Sequence, residues 1–259
     1  MSFKNHNFGT NRIGGTGIGS QYGQGLYAES STPTYPIGEK LELSDGRVFR
    51  YGKTAAAIAA GLLVSQDISA TAQVETDNIV IDAANGFDPA AGSAQLQITL
   101  ASITKDQFAG ALLQTTDDAG EGYQYRIKSN SATDATTSGK VDIYLFDAIA
   151  VTLTTATDIA IVGGLWYDVV GATAATDYII AGVTPMAFTS GYYGWLQTAG
   201  IATILSDTAI AIGDNLTLSD GTAGAVQLKD AETEPLVGFA CYAPDDTGHV
   251  GVVLQGLVA

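Results

Sequence analysis

Few residues in this chain have the side chains that chemistry usually needs. His6 and His249 are its two histidines, and Cys241 is its single cysteine. A Ser-His-Asp triad or a histidine metal site requires convergence in space, and no local spacing here arranges it. Both histidines are therefore expected in solvated positions, His6 near the start and His249 in a terminal turn. Cys241 lies in Val237-Gly238-Phe239-Ala240-Cys241-Tyr242, where a small buried hydrophobe of a strand is expected. Only the fold can bring His249 near it. Asp246-Thr247-Gly248 copies the tripeptide of aspartic proteases. That chemistry needs two facing carboxylates, from a second copy of the tripeptide or a dimer. The flanking Ala243-Pro244-Asp245 and the apolar run that follows make it a hairpin turn instead. Asp117, Asp118 and Glu121 crowd one short stretch but lack the alternating ligands of a calcium loop, so an acidic turn is expected there. The glycines at 14, 15, 17 and 19 lack dinucleotide spacing, follow no strand and open no helix. No paired-carboxylate glycosidase arrangement is legible either. The residues thus assign no catalytic, cofactor or metal position, and a non-enzymatic protein is expected.

Composition narrows the classes. The chain has 259 residues, with 11 Lys and Arg against 27 Asp and Glu, for a net charge of −16. Only 15% of residues are charged, against about 25% in an average soluble domain. A body this acidic repels phosphate backbones, so no nucleic-acid partner is expected. At 46% hydrophobic it is too apolar to be wholly disordered. One cysteine permits no intrachain disulfide. The longest apolar run, Ala55 to Val64, is about half a membrane span and is interrupted by Gly61, so no membrane partner is expected. The first seven residues have no apolar core of a signal peptide, so synthesis in a host cytoplasm is expected.

The elements that would position any site come in a clear order. Residues 1–35 have almost no core-forming residues and neither helical nor alternating periodicity. They are expected to form an extended N-terminal arm, with Phe3, Phe8, Tyr22, Tyr27 and Tyr35 as spaced aromatics. After Pro36 short alternating runs begin, bounded by turn residues: 40–43, 47–51, 78–82, 95–100, 123–128, 141–146, 210–218 and 250–254. Thr, Val, Ile and Tyr are abundant, so the expected fold is all-β, with barrel or sandwich-like modules. Residues 54–63 fit either a helix or an irregular loop and strand, and 104–109 could add one helical turn. Ile37-Gly38-Glu39-Lys40-Leu41-Glu42-Leu43-Ser44-Asp45-Gly46 matches residues 212–221 at seven of ten positions. Equivalent hairpins in one β domain would explain the match. That domain would join 36–69 with 185–259, leaving 70–184 as an inserted β module. Charge follows this division: +1 for 1–35, zero for 36–69, −10 for 70–184 and −7 for 185–259.

Four stretches carry a resemblance. They are Ser44-Asp45-Gly46-Arg47-Val48-Phe49-Arg50-Tyr51 with the Ala-rich run after it, Gly120-Glu121-Gly122-Tyr123-Gln124-Tyr125-Arg126-Ile127-Lys128-Ser129, Thr189-Ser190-Gly191-Tyr192-Tyr193-Gly194-Trp195-Leu196-Gln197-Thr198, and Val237-Gly238-Phe239-Ala240 leading to the apolar C-terminal run. In this order they resemble head decoration (capsid cement) proteins of tailed bacteriophages. The resemblance implies a virion structural protein on the capsid exterior, bound to the major capsid protein, often as a homotrimer, with no catalytic residues and no cofactor. The arm residues expected to contact the capsid are Phe3, Phe8, Arg12, Tyr22 and Tyr27. The alternative is a head fibre or surface adhesin that binds a host glycan on Trp166, Tyr167, Tyr192, Tyr193 and Trp195.

Overall fold

The computed structural model describes residues 12–13, 23–66, 73–76, 79–80, 86–134, 139–173, 179–243 and 248–255. Phe3, His6, Phe8, Tyr22, the glycines at 14 to 19 and Asp246 lie outside these residues. The described elements are all strands, so the chain is all-β. It divides into two compact units: residues 1–67 with 165–259, and residues 68–164.

The first unit opens with β1 (Arg12–Ile13), β2 (Lys40–Leu43), β3 (Val48–Lys53) and β4 (Leu63–Gln66). The second unit holds β5 (Gln73–Thr76), β6 (Ile79–Val80), β7 (Gln95–Thr99), β8 (Leu112–Thr115), β9 (Gln124–Asn130), β10 (Lys140–Leu145) and β11 (Ile159–Val162). The chain then returns to the first unit with β12 (Val169–Gly171), β13 (Ile180–Val183), β14 (Tyr193–Leu205), β15 (Asn215–Leu218), β16 (Val226–Leu228), β17 (Gly238–Tyr242) and β18 (His249–Leu254). This return comes at 165 rather than at the expected 185, because β12 and β13 both pair with β4.

The long strand β14 organises the first unit. Its first half pairs with β3, from Tyr193↔Lys53 to Ala199↔Val48, and touches β13 at Gln197↔Val183. Its second half pairs with β18, from Gly200↔Leu254 to Leu205↔His249. A bulge between Gln197 and Ala199 marks the change of partner. The buried Gln197 amide donates to Ala199 O (3.1 Å) and Ile201 O (2.8 Å), binding carbonyls of the bulged stretch. Gly200 has φ 84°, and a Cβ there would lie 2.9 Å from Arg47 Cα, so only glycine fits.

Both halves of this sheet close. β3, β14, β13, β4 and β12 follow one another, and the bridge Thr54↔Val169 returns β12 to the end of β3. β14, β18, β17, β15 and β16 do the same, closed by Ser206↔Val226. The first ring packs around Ile58, Val64, Val169, Ala181, Phe188 and Leu196. The second packs around Ala202, Ile204, Leu216, Val226, Val250 and Val252, with Leu63 and Val183. β2 stands outside the first ring on β3, and β1 runs parallel on β2.

A second internal repeat builds the first ring. Residues 52–61 and 182–191 share Gly, Thr, Ala and Gly at matching positions: Gly52 and Gly182, Thr54 and Thr184, Ala57 and Ala187, Gly61 and Gly191. Each segment leaves a strand, forms a loop and enters the next strand. The two loops bond reciprocally. Ile58 N–H donates to Phe188 O (3.0 Å) and Phe188 N–H to Ile58 O (2.8 Å). Gly61 N–H donates to Thr184 O (2.8 Å) and Gly191 N–H to Thr54 O (2.9 Å). The strands follow the same dyad, with β3 on β14 and β4 on β13. Residues 54–62 are therefore a loop rather than a helix: their backbone groups bond to the partner loop, and Gly61 (φ 72°) and Gly191 (φ 78°) turn the chain into the strand.

The repeat noticed in the sequence behaves differently. Gly38 N–H donates to Tyr51 O and Gly213 N–H to Ala240 O, each at 2.8 Å. Glu39 O accepts from Tyr51 N–H (2.9 Å) and Asp214 O from Ala240 N–H (3.0 Å). The shared feature is thus a turn that docks β2 on β3 and β15 on β17. The Ser-Asp-Gly halves diverge. One makes the tight β2–β3 turn, and the other starts a longer loop to β16.

Much of the expected arm is bound to the body. Leu26 is buried, and the Tyr35 ring lies 5.3 Å from Tyr51 and 5.1 Å from Trp195. Gln24 accepts the Tyr51 hydroxyl (2.5 Å) and donates to Ala28 O and Tyr193 O (2.7 Å each). The Glu29 carboxylate accepts from Thr189 N–H (2.6 Å) and its hydroxyl (2.7 Å). Residues 23–35 thus complete the core around Tyr51 and Trp195.

The second unit is a seven-stranded antiparallel sheet ordered β5-β11-β8-β9-β10-β7-β6 around Leu96, Ile98, Leu113, Ile127, Ile143 and Ile159. β5 and β6 stand at opposite ends of that order yet only two residues separate them in sequence. Three peptide steps span at most about 11 Å, so the sheet must curl until its ends are near. Residues 104–109 form turns rather than a helical turn, and Asp106 has φ 61°. They are tied down by the buried Asn130, which accepts from Phe108 N–H (2.7 Å) and donates to Thr104 O (2.9 Å). The Asp117–Glu121 stretch lies in the β8–β9 loop.

Candidate functional site

Two groups of side chains in the first unit merit comparison. The first is Lys53, Tyr167 and Asp168. Lys53 Nζ lies 2.9 Å from Asp168 Oδ1 and 3.2 Å from the Tyr167 hydroxyl, and 4.4 Å from the centre of that ring. Burial pulls the Lys53 ammonium down, but the Asp168 carboxylate and Tyr167 outweigh it and hold the group above its ordinary value. Burial also pushes the Tyr167 phenol up, against the pull of Lys53. A lysine held in its charged form is no nucleophile or base. The cluster ties residues 166–168 to β3, as does Arg50, whose guanidinium stacks 5.1 Å over Trp166.

The second group is a sheet face with a cleft beside it. β14, β17 and β18 contain no Asp, Glu, Lys or Arg. Their inward residues, among them Ala202, Ile204, Ala240, Val250 and Val252, fill the core of the second ring. The alternate residues face outward. Register aligns Ile201, Val253 and Phe239 in a row, with Asn215 of β15 at its end. Ile201 is 59% exposed and Val253 36%. The next row holds Thr203, Gly251 and Tyr242, and Tyr242 is 60% exposed.

At the Ile201 end lies a cleft of about 220 Å³, lined by Tyr27, Arg47, Gly61, Gln197, Thr203 and His249 among others. Arg47 Nε lies 2.8 Å from Asp45 Oδ2 in an exposed pair, and Tyr27 lies beside the same guanidinium. The His249 ring crosses to Gly61, where a Cβ would lie 2.7 Å from His249 Cδ2. His249 opens β18 rather than sitting in a turn, and it is exposed.

Comparison with protein-family models, with curated proteins and with solved structures finds no match to this chain. Function therefore has to be argued from the surface itself.

Of the arm residues expected at a partner, Phe3, Phe8 and Tyr22 fall outside the described residues. Arg12 lies in β1, in register with Glu42 of β2. Tyr27 is 66% exposed and lines the cleft with Arg47. Arg12 and Tyr27 thus both reach the β2–β3 hairpin. Cys241 is corrected: it is exposed, not buried. The register shift between Ala240 and Tyr242 makes it the extra residue of a bulge, and its sulfur lies on the outward side beside Gly251. Of the aromatics offered for glycan stacking, Tyr193 is in register with Lys53, whose ammonium lies over the Tyr167 ring, while the two tryptophans pack inward. Trp195 is 4% exposed, and Trp166 Nε1 donates to Ala181 O (2.9 Å) while its ring packs on the first core. Among the described residues no three His, Cys, Asp or Glu side chains converge as a metal site. Sequence reasoning missed Arg47, Gln197, Ile201 and His249 as neighbours. The available signal was the absence of charge from 193–205, 238–242 and 249–254.

Proposed function

We propose that this chain is a non-enzymatic virion structural protein that binds the outer surface of a phage capsid and stabilises it. The carrying observation is the placement of β1 on β2. The N-terminal segment reaches the body at the hairpin that also holds Lys40, Arg47, Arg50 and Lys53. Residues 1–69 hold six of the eleven basic residues, and the remainder of the chain carries −17. An acidic body facing solvent keeps many copies apart and soluble. The near-neutral, aromatic end, +1 over residues 1–69, is the side suited to a large partner, here the major capsid protein. Phe3, Phe8, Arg12 and Tyr22, with Tyr27, are the proposed contacts. Each contact is weak, and repetition over a lattice supplies the retention.

The test adds purified full-length chain to capsids that lack it and counts occupancy by cryo-EM. A variant without residues 1–22 keeps Leu26, Gln24 and Tyr35 in place, so its body should fold as before. Its occupancy should fall sharply. Unchanged occupancy would remove the arm contacts from the proposal. Absence of full-length chain from the capsids would remove the capsid reading.

A further inference from the structure

The cleft beside Tyr27 holds a buried acceptor that the fold leaves unused. Gln197 is 5% exposed and forms part of the cleft wall. Both hydrogens of its amide go to Ala199 O and Ile201 O, and Oε1 accepts from no described residue. A sealed core penalises such an atom, but Oε1 is not sealed: it is open to the cleft. His249 stands at the far end, its ring nitrogens without a partner among the described residues, and Thr203 lies between. We propose that this cleft binds a neutral sugar ring, one hexose unit of a glycan. The site needs no capsid and uses none of the aromatics on 166–167 and 192–195, although Tyr27 is also among the capsid contacts.

Charge and lining select that ligand. Arg47 is the one Lys or Arg among the described lining residues, and Asp45 and Tyr27 already engage its guanidinium. No Asp or Glu is among those residues to hold a cation, and a chain of net charge −16 repels anions. A neutral ligand is what remains. Ile201, Val183 and Pro185 make part of the lining apolar, while Gln197, Thr203 and His249 offer an acceptor, a hydroxyl and an imidazole. A wholly apolar ligand would cut these polar groups off from water and give them nothing in return. A sugar ring has a C–H face for the apolar side and hydroxyls that both donate and accept for the other. The Tyr27 ring, 66% exposed, adds a flat surface at the mouth.

Size limits the ligand to one ring. The cleft of about 220 Å³ lies below the roughly 300–1,000 Å³ of sites for drug-sized molecules. It has room for about seven waters at about 30 Å³ each, the scale of a single sugar rather than an oligosaccharide. Further units of a glycan would lie outside it. One small ring gives a dissociation constant of roughly millimolar order, and repetition over many copies would supply the retention.

Saturation-transfer NMR on the free full-length chain tests this with glucose, galactose, mannose and N-acetylglucosamine, each at tens of millimolar. At least one should receive saturation, most strongly on the ring C–H protons. Tyr27→Ala should weaken that sugar's binding roughly 10-fold, and His249→Ala should weaken it as well. Both side chains are exposed, and tryptophan emission checks that the first unit of each variant stays folded. Tyr242→Ala removes an exposed aromatic outside the cleft and should change nothing. No saturation of any of the four sugars would overturn the proposal while leaving the capsid reading standing. Binding that survives both Tyr27→Ala and His249→Ala would overturn the site. Phosphate or acetate binding there more tightly than every sugar would overturn the neutral ligand.

Discussion

Replacing Thr184 by valine tests the reciprocal loops of the first ring. The side chain is fully buried, and valine keeps its shape while removing the hydroxyl. Thr184 Oγ1 accepts from Leu62 N–H (3.0 Å) and donates towards Ala59 O (2.8 Å) and Leu62 O (3.2 Å). Leu62 O keeps the Thr184 N–H, and Ala59 is exposed enough for water to replace the lost donor. Leu62 N–H, half-buried, is left without its acceptor. An unsatisfied donor costs about 1–3 kcal/mol and the lost donation up to about 1 more, so roughly 2 kcal/mol is expected. Thr54 occupies the equivalent place, donating to Thr189 O (2.9 Å) and Tyr192 O (3.3 Å). Its replacement strands no N–H, since Tyr192 N–H already donates to Thr189 O (3.2 Å). Thr54→Val should cost only about 1 kcal/mol. The assay is urea unfolding followed by tryptophan emission. Trp166 and Trp195 are the only two tryptophans, and both lie in the first unit, so emission reports that unit alone. An equal or larger effect for Thr54→Val would refute the assignment of roles within the dyad.

Three other outcomes follow from the same structure. Burial raises the Tyr51 and Tyr167 phenols, and the Asp168 and Tyr167 contacts hold the Lys53 ammonium up despite burial. All three bind their protons more tightly folded than unfolded. Their stabilisation is complete at neutral pH and is lost as pH rises above the ordinary values of 10.0 and 10.5, so the urea midpoint read by tryptophan should drop there. Gly238→Ala should destabilise the first unit by about 2–4 kcal/mol, because a Cβ there overlaps Val253 O and meets Val252 Cγ1 at 2.8 Å. Deleting residues 1–35 should redden tryptophan emission and lower the midpoint, whereas deleting 1–22 should do neither. Leu26, Gln24 and Tyr35 are what cover Tyr51 and Trp195.

The strands were legible because alternation survives wherever one face is buried. β9 and β10 alternate without a break over most of their length. The reciprocal loops were less so. Ala-rich 54–60 has helix propensity, and what overrides it is a set of long-range backbone bonds to 184–191, which no local window contains. The matching Gly, Thr, Ala and Gly of the two segments were visible, but four identities in ten carry little weight until the strands pair. Cys241 failed for a different reason. Alternation after the inward Ala240 already turns Cys241 outward, and the bulge brings Tyr242 to the same side, so apolar neighbours in sequence did not mean burial. Tyr27 and Tyr35, both spaced aromatics of the arm, met opposite fates: Tyr35 packs on Tyr51, while Tyr27 stays exposed. Spacing cannot distinguish an aromatic that anchors the chain to itself from one that faces a partner.

Closure of both rings limits how this unit can bind anything. A closed ring offers no free ladder, so partners cannot extend it by adding a strand. The exception is β2, which lies outside the first ring, and β1 already covers it at Glu42 and Leu43. What remains is the β2–β3 hairpin joined to the N-terminal segment and, adjoining it where Arg47 meets Gly200, the uncharged face of β14, β18 and β17. These differ in physics. The hairpin's Lys and Arg, with Lys40, Arg47 and Lys53 each already beside a carboxylate, make polar contacts that weaken with salt. The apolar row acts only at contact and strengthens with kosmotropic salt. Raising sodium sulfate should therefore loosen capsid attachment made through the hairpin and its N-terminal segment, and tighten attachment made through the uncharged face. Capsid occupancy that rose with sulfate would move the contact from the hairpin to the uncharged face.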